Sequence, residues 1–142
     1  MTNVLFHYNA ADPYKLASSL IEDQFSKGRR VLVYAPDPAR YDAVNKSLWA
    51  FKQLSFVPHC DVDAENADFT PVLLIRDDHR LPTQDVLVIL ADEVPVFFSR
   101  FKTVIDLVGN TEAEKVPGRV RDKFDQERGY PMERFDHAGS NG

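Results

Sequence analysis

Hydrophobic positions along this chain gather into five short, nearly continuous runs: Val4 to Tyr8, Val31 to Tyr34, Val72 to Ile75, Val86 to Leu90 and Val104 to Val108. Val, Ile and Leu dominate, and apolar and polar residues do not alternate. A strand buried on both faces gives this pattern, because neither side of its pleat meets water. The runs therefore predict a mostly parallel sheet covered by helices on both faces.

Helical patterns separate most of the runs. Asp12-Pro13 supplies an N-cap and a proline at the first helical position. Leu16, Ala17, Leu20, Ile21 and Phe25 then recur at helical spacing, and Gly28 closes the segment. Asp37-Pro38 opens a second helix whose core face reads Tyr41, Val44, Leu48 and Phe51. Asp92 and Pro95 open a short third one carrying Phe97, Phe98 and Phe101. Thr111 starts a fourth that runs to about Arg128, with Gly129 as its stop; Pro117-Gly118 either kinks it or Val116-Pro117 marks its start. Cys60 to Pro71 reads as acidic and irregular, and Arg76 to Thr83 as a polar connector. The order β-α-β-α-β-β-α-β-α predicts a three-layer α/β/α sandwich with a Rossmann-like sheet of about five strands. One domain is expected over 1–137, and 138–142 reads as a disordered tail.

The 142 residues suit a single domain, and 44% hydrophobic with 27% charged residues is an ordinary globular balance. The formal net charge of -5 and a pI near 5.3 argue against broad contact with a phosphate backbone. One cysteine, Cys60, excludes an internal disulfide and fits a reducing compartment. No apolar run reaches the roughly 20 residues that span a bilayer. The N-terminus carries no export signal, so cytoplasm is the expected location.

An α/β sheet invites a nucleotide-binding or phosphoacceptor reading. The turn after the first run, Asn9-Ala10-Ala11-Asp12-Pro13, holds no glycine, and neither phosphate-binding glycine motif occurs anywhere. A receiver-type magnesium site lacks its acidic pair, although Asp77 and Asp78 follow the third run. That reading stands as the alternative, tested by a thermal-shift screen with nucleotides and magnesium. His59-Cys60-x-x-Asp63 has no companion metal motif, so no metal site is expected. Asp106 interrupts an apolar strand and reads as a carboxylate capped by backbone donors or paired with a base. No catalytic residues and no cofactor are expected.

Two features read as binding surfaces. Trp49 lies off the core face of the second helix, as a boundary residue or a partner anchor, with Leu54 to Pro58 adding apolar bulk downstream. On the last helix, Lys115, Arg119 and Lys123 are spaced four apart, and each step rotates by about 40°, giving a slanted cationic stripe roughly 12 Å long. Val116, Val120 and Phe124 read as that helix's apolar, buried stripe. The charges then rim the buried face, where a groove between helix and sheet has its edge. An apolar floor with a basic rim suits a short acidic peptide ending in an apolar side chain.

Lys27-Gly28-Arg29-Arg30-Val31-Leu32-Val33, Leu48-Trp49, Ser55-Phe56-Val57-Pro58-His59, Asp106-Leu107-Val108 and Arg119-x-Arg121-x-Lys123 occur in the order found in the chi subunit of bacterial DNA polymerase III, which this chain resembles from its first strand to about Tyr130. The resemblance implies a non-catalytic accessory subunit of the replicative holoenzyme. It implies two partners: the psi subunit, which tethers chi to the clamp loader, and the acidic C-terminal tail of single-stranded-DNA-binding protein, ending in proline-phenylalanine. Contact with DNA is then indirect or weak, and no membrane is involved. Carried over by motif, Val108, Lys115, Arg119 and Lys123 form the tail site, and Trp49 and Phe56 belong to a surface for psi or a competing helicase. The chain departs from the family at Asp122, where an aromatic is usual, and at Pro117-Gly118.

Overall fold

A computed structural model describes residues 2–50 and 57–139. Among them are the strands β1 (Asn3–Ala10), β2 (Val31–Tyr34), β3 (His59–Asp61), β4 (Val72–Ile75), β5 (Val86–Ile89), β6 (Thr103–Gly109) and β7 (Met132–Asp136). The helices are α1 (Pro13–Ser26), α2 (Pro38–Ala50) and α3 (Glu112–Glu127). The seven strands lie in the order β3-β4-β2-β5-β6-β1-β7, and every pairing is parallel.

The continuous apolar runs are explained by burial from both sides. Val31 and Val33 of β2, Val72 and Leu74 of β4, and Val86 and Val88 of β5 face one core with Ala17 and Ile21 of α1 and Val44 and Leu48 of α2. Their neighbours Leu32, Leu73, Ile75, Leu87 and Ile89 face a second core, closed by Phe97, Phe98 and Phe101 and partly by Phe124 of α3. The sheet is thus the middle layer of an α/β/α sandwich, with α1 and α2 on one side and α3 on the other. The first two helices, α1 and α2, start where their caps dictate. The Asp12 carboxylate accepts from the Lys15 amide at 3.1 Å, and the Asp37 carboxylate from the Arg40 amide at 3.1 Å. Gly28 and Gly129 take the left-handed conformation past the ends of α1 and α3, with φ of 77° and 73°.

Five expectations need correction. Among the described residues the sheet has seven strands rather than about five. β3 falls inside the stretch expected to be irregular, and its three residues are too few to show a pattern. β7 reads Met-Glu-Arg-Phe-Asp, an exposed edge strand with no apolar run to announce it. The segment after Asp92 forms only a single 3-10 turn at Phe98–Arg100, because its phenylalanines are all drawn into the second core. The apolar stripe of α3 is also different. Val116 and Val120 are 55% and 65% exposed, while Gly118, Arg121 and Asp125 are buried. The helix runs unbroken through Pro117 from Glu112 to Glu127.

Candidate functional site

The face that α3 turns to the sheet is set by one ion pair. Asp106, in the middle of β6, has no water to solvate it at 1% exposure. Arg121 answers it: Nε donates to both carboxylate oxygens at 3.1 and 3.0 Å, and Nη2 donates to Oδ1 at 2.9 Å. Arg121 Nη1 also donates to the Asp92 carbonyl oxygen at 3.1 Å, tying α3 to the loop after β5. Burial pushes the Asp106 carboxyl up, and the Arg121 guanidinium opposes that rise. One turn before Arg121, Gly118 lies against Val108. A Cβ added there would stand 2.8 and 2.9 Å from the two Val108 methyls, so only glycine permits this approach of helix to sheet.

With Arg121 and Gly118 turned inward, the Lys115 and Arg119 side of α3 overhangs the sheet toward β1 and β7. The space beneath is a groove of about 470 Å³, within the usual size range for a ligand-binding cleft. Its floor is apolar: Phe6 and Tyr8 of β1, Val108 of β6 and Gly118. Lys115 and Arg119 form the helix wall, and Arg134 of β7 the other. Among the described residues that line the groove, Asp122 is the one carboxylate against these three cations, and it binds Arg134 at 2.7 Å. That carboxylate raises the Arg134 pKa further above its ordinary value. Among the described residues Arg119 has only a loose, exposed partner in Glu112 at 3.9 Å, an arrangement a competing anion displaces at little cost.

At the carboxyl end of the groove, Asn9 adopts a left-handed φ of 60°, and its side-chain amide donates to Asp136 at 2.9 Å. His7 lies inside β1, stacked on Phe135 at 4.5 Å, with its Nδ1 2.9 Å from His137 Nε2. Burial, reinforced by His137, lowers the His7 pKa to about 4.

The motif residues are thus only partly assembled in one place. Val108, Lys115 and Arg119 line the groove. Lys123 is not among its lining residues; it is exposed beside Glu127 at 3.9 Å, because two four-residue steps from Lys115 carry it about 80° around the helix. Trp49 is 61% exposed at the end of α2, with its ring 4.7 Å from that of His59 on the edge strand β3. Phe56 lies outside the described residues. Arg134, Phe6 and Tyr8 escaped the sequence reading. The last two sit inside a run read as core, and Arg134 sits in a strand the pattern did not announce. Among the described residues no group of three His, Cys, Asp or Glu side chains is placed to hold a metal ion, and no helix is long and apolar enough to cross a membrane.

The family model of the DNA polymerase III chi subunit, HolC, matches residues 1–133. The chain belongs to this family. It is 32% identical over 139 residues to DNA polymerase III subunit chi of Pseudomonas aeruginosa, a similarity covering 94% of this chain and 95% of the relative. It is 29% identical over 111 residues to DNA polymerase III subunit chi of Haemophilus influenzae, covering 77% and 76% of the two chains. Membership in the chi family makes the chain an accessory subunit of a replicative polymerase. The matched stretch includes β1, β6 and α3, which form most of the groove, and stops one residue before Arg134.

Proposed function

We propose that this chi-family chain is a non-catalytic adaptor. Its groove takes the acidic C-terminal tail of single-stranded-DNA-binding protein, and the Trp49 side of the molecule meets the psi subunit of the clamp-loader assembly. The observation that carries the tail reading is the pairing of an apolar floor, Phe6, Tyr8 and Val108, with cationic walls, Lys115, Arg119 and Arg134, on a protein of net charge -5. Phosphate backbones require a wide basic surface, whereas a short acidic peptide ending in an aromatic side chain requires only this much: carboxylates for the walls and one ring for the floor.

The placement of Trp49 supports the second half of the reading. It lies far along α2 from the cap at Asp37, on the side of the sheet opposite α3, so a partner there and a peptide in the groove do not compete for the same residues. A large, exposed indole beside an edge strand is a common kind of partner anchor.

Chemical-shift mapping tests the assignment. A peptide ending in acidic residues followed by Pro-Phe, added to isotope-labelled protein, should shift resonances of Tyr8, Val108, Gly118 and Arg119 and leave Trp49 unmoved. Shifts centred on Trp49 instead would place the tail on the wrong face.

A further inference from the structure

The groove has two walls, and the sequence motif accounts for only one. β7 runs parallel to β1 with Arg134 paired to Phe6, so this arginine stands directly beside the apolar floor. Its guanidinium is paired with Asp122. Nη2 donates to Asp122 Oδ1 at 2.7 Å and Nε donates to Asp122 Oδ2 at 3.3 Å, a two-oxygen pairing that fixes the plane of the group. The pairing consumes the Nε and Nη2 edge, and among the described residues Nη1 donates to no acceptor. Both side chains remain partly open to the groove, at 39% for Arg134 and 25% for Asp122.

We propose that Arg134 is a peptide-binding residue of this groove, gripping carboxylates from the strand wall opposite Arg119, and that Asp122 is the positioning residue that holds it there. The proposal rests on the acidic-peptide reading of the site and adds a contact that the helix stripe does not contain. An uncompensated carboxylate in a groove for anions would repel its ligand. Asp122 is compensated, because Arg134 takes both of its oxygens and still presents a donor edge. Arg134 also supplies the third cation, since Lys123 is turned away from the groove. The ligand is therefore clamped between helix and strand rather than laid along the helix alone. Such a grip also fixes the depth at which the peptide's last side chain meets Phe6 and Val108.

Calorimetry on the full-length chain tests this with the same acidic Pro-Phe peptide and a control peptide whose acidic residues are replaced by their amides. R134A should weaken the acidic peptide about 5–10-fold, the loss of one charge-assisted contact, while K123A stays within about twofold of the native chain. R134K should restore only part of the loss, because an ammonium carries the charge but cannot form the planar two-oxygen pairing with Asp122 that orients the arginine. On the control peptide R134A should have no effect. For Asp122, the effect of D122A should be much smaller in the R134A background than in the native one. Thermal melting of each variant separates lost binding from lost folding. Native-level affinity in R134A, alongside a clear loss in R119A, would overturn the role given to Arg134. Equal effects of D122A in both backgrounds would overturn the positioning role. Failure of the native chain to bind the acidic peptide at all would instead remove the tail-site reading, and this clamp with it.

Discussion

Arg121 of α3 closes on Asp106 of β6 through three nitrogen–oxygen contacts of 2.9 to 3.1 Å, with the two side chains 3% and 1% exposed. This pair decides which face of the last helix meets the sheet, and hence which residues overhang the groove. Breaking it strands a charge in the core. R121A should cost about 3–5 kcal/mol in urea denaturation. The double variant D106L/R121M, which removes both charges and keeps the bulk, should recover most of that loss. Equal damage from the single and double variants would mean the pair does not govern the packing.

Gly118 makes the close approach possible. Its replacement by alanine should help an isolated helix by about 1 kcal/mol, yet the new methyl would strike Val108. The net expectation for G118A is a loss of about 1–3 kcal/mol. V108A should relieve it, so the two substitutions together should cost less than their sum. Peptide binding should fall in G118A as well, because α3 must lift from the groove floor.

Asp125 gives the fold a pH dependence of its own. Its carboxyl is 2% exposed, Oδ1 has no hydrogen-bond partner among the described residues, and burial, followed by the nearby charges of Asp106 and Asp122, pushes its pKa up from 3.8 to about 7. Between these values the folded chain holds a proton that the unfolded chain has released. Stability from this group is therefore full below about pH 4 and declines toward pH 7, with a slope of at most about 1.4 kcal/mol per pH unit. D125N should remove the decline and leave the protein more stable at pH 8 than the native chain, as read by melting temperature across pH.

His7 works in the opposite direction. Its folded pKa of about 4 lies below the ordinary 6.5, so here the unfolded chain holds the extra proton in the window between. Stability from His7 is present above about pH 6.5 and is lost as pH falls toward 4. The two trends overlap and partly cancel between pH 4 and 6.5. H7F should leave the Asp125 decline visible by itself. A native-like pH profile in H7F would contradict the burial account.

The sheet's central strands were legible because burial on both faces leaves an unbroken apolar run, and α1 and α2 because Asp-Pro pairs mark their starts. β3 and β7 were not, since an edge strand of three residues, or one reading Met-Glu-Arg-Phe-Asp, carries little of that signal. The buried face of α3 is hidden in the sequence for a different reason. Val116 and Val120 are the apolar choice, but Asp106, fifteen residues before Arg121, demands a base more strongly than valines demand burial. The clue was a carboxylate in the middle of an apolar strand. Lys115 and Arg119 reach the groove because they flank Gly118 and Asp122 on the helix surface. Lys123 shares their four-residue spacing but not their direction, a difference that spacing alone conceals.

On the proposed reading, Lys115, Arg119 and Arg134 above an apolar floor grip an acidic peptide end. Titration calorimetry of the native chain and R119E, each at low and high salt, tests it most directly. The native chain should bind the acidic Pro-Phe peptide in the micromolar range at low salt and lose affinity as salt screens the walls. R119E, still folded by its melting curve, should show no detectable heat. Equal, salt-insensitive binding by both proteins would mean that these cations do not hold the peptide.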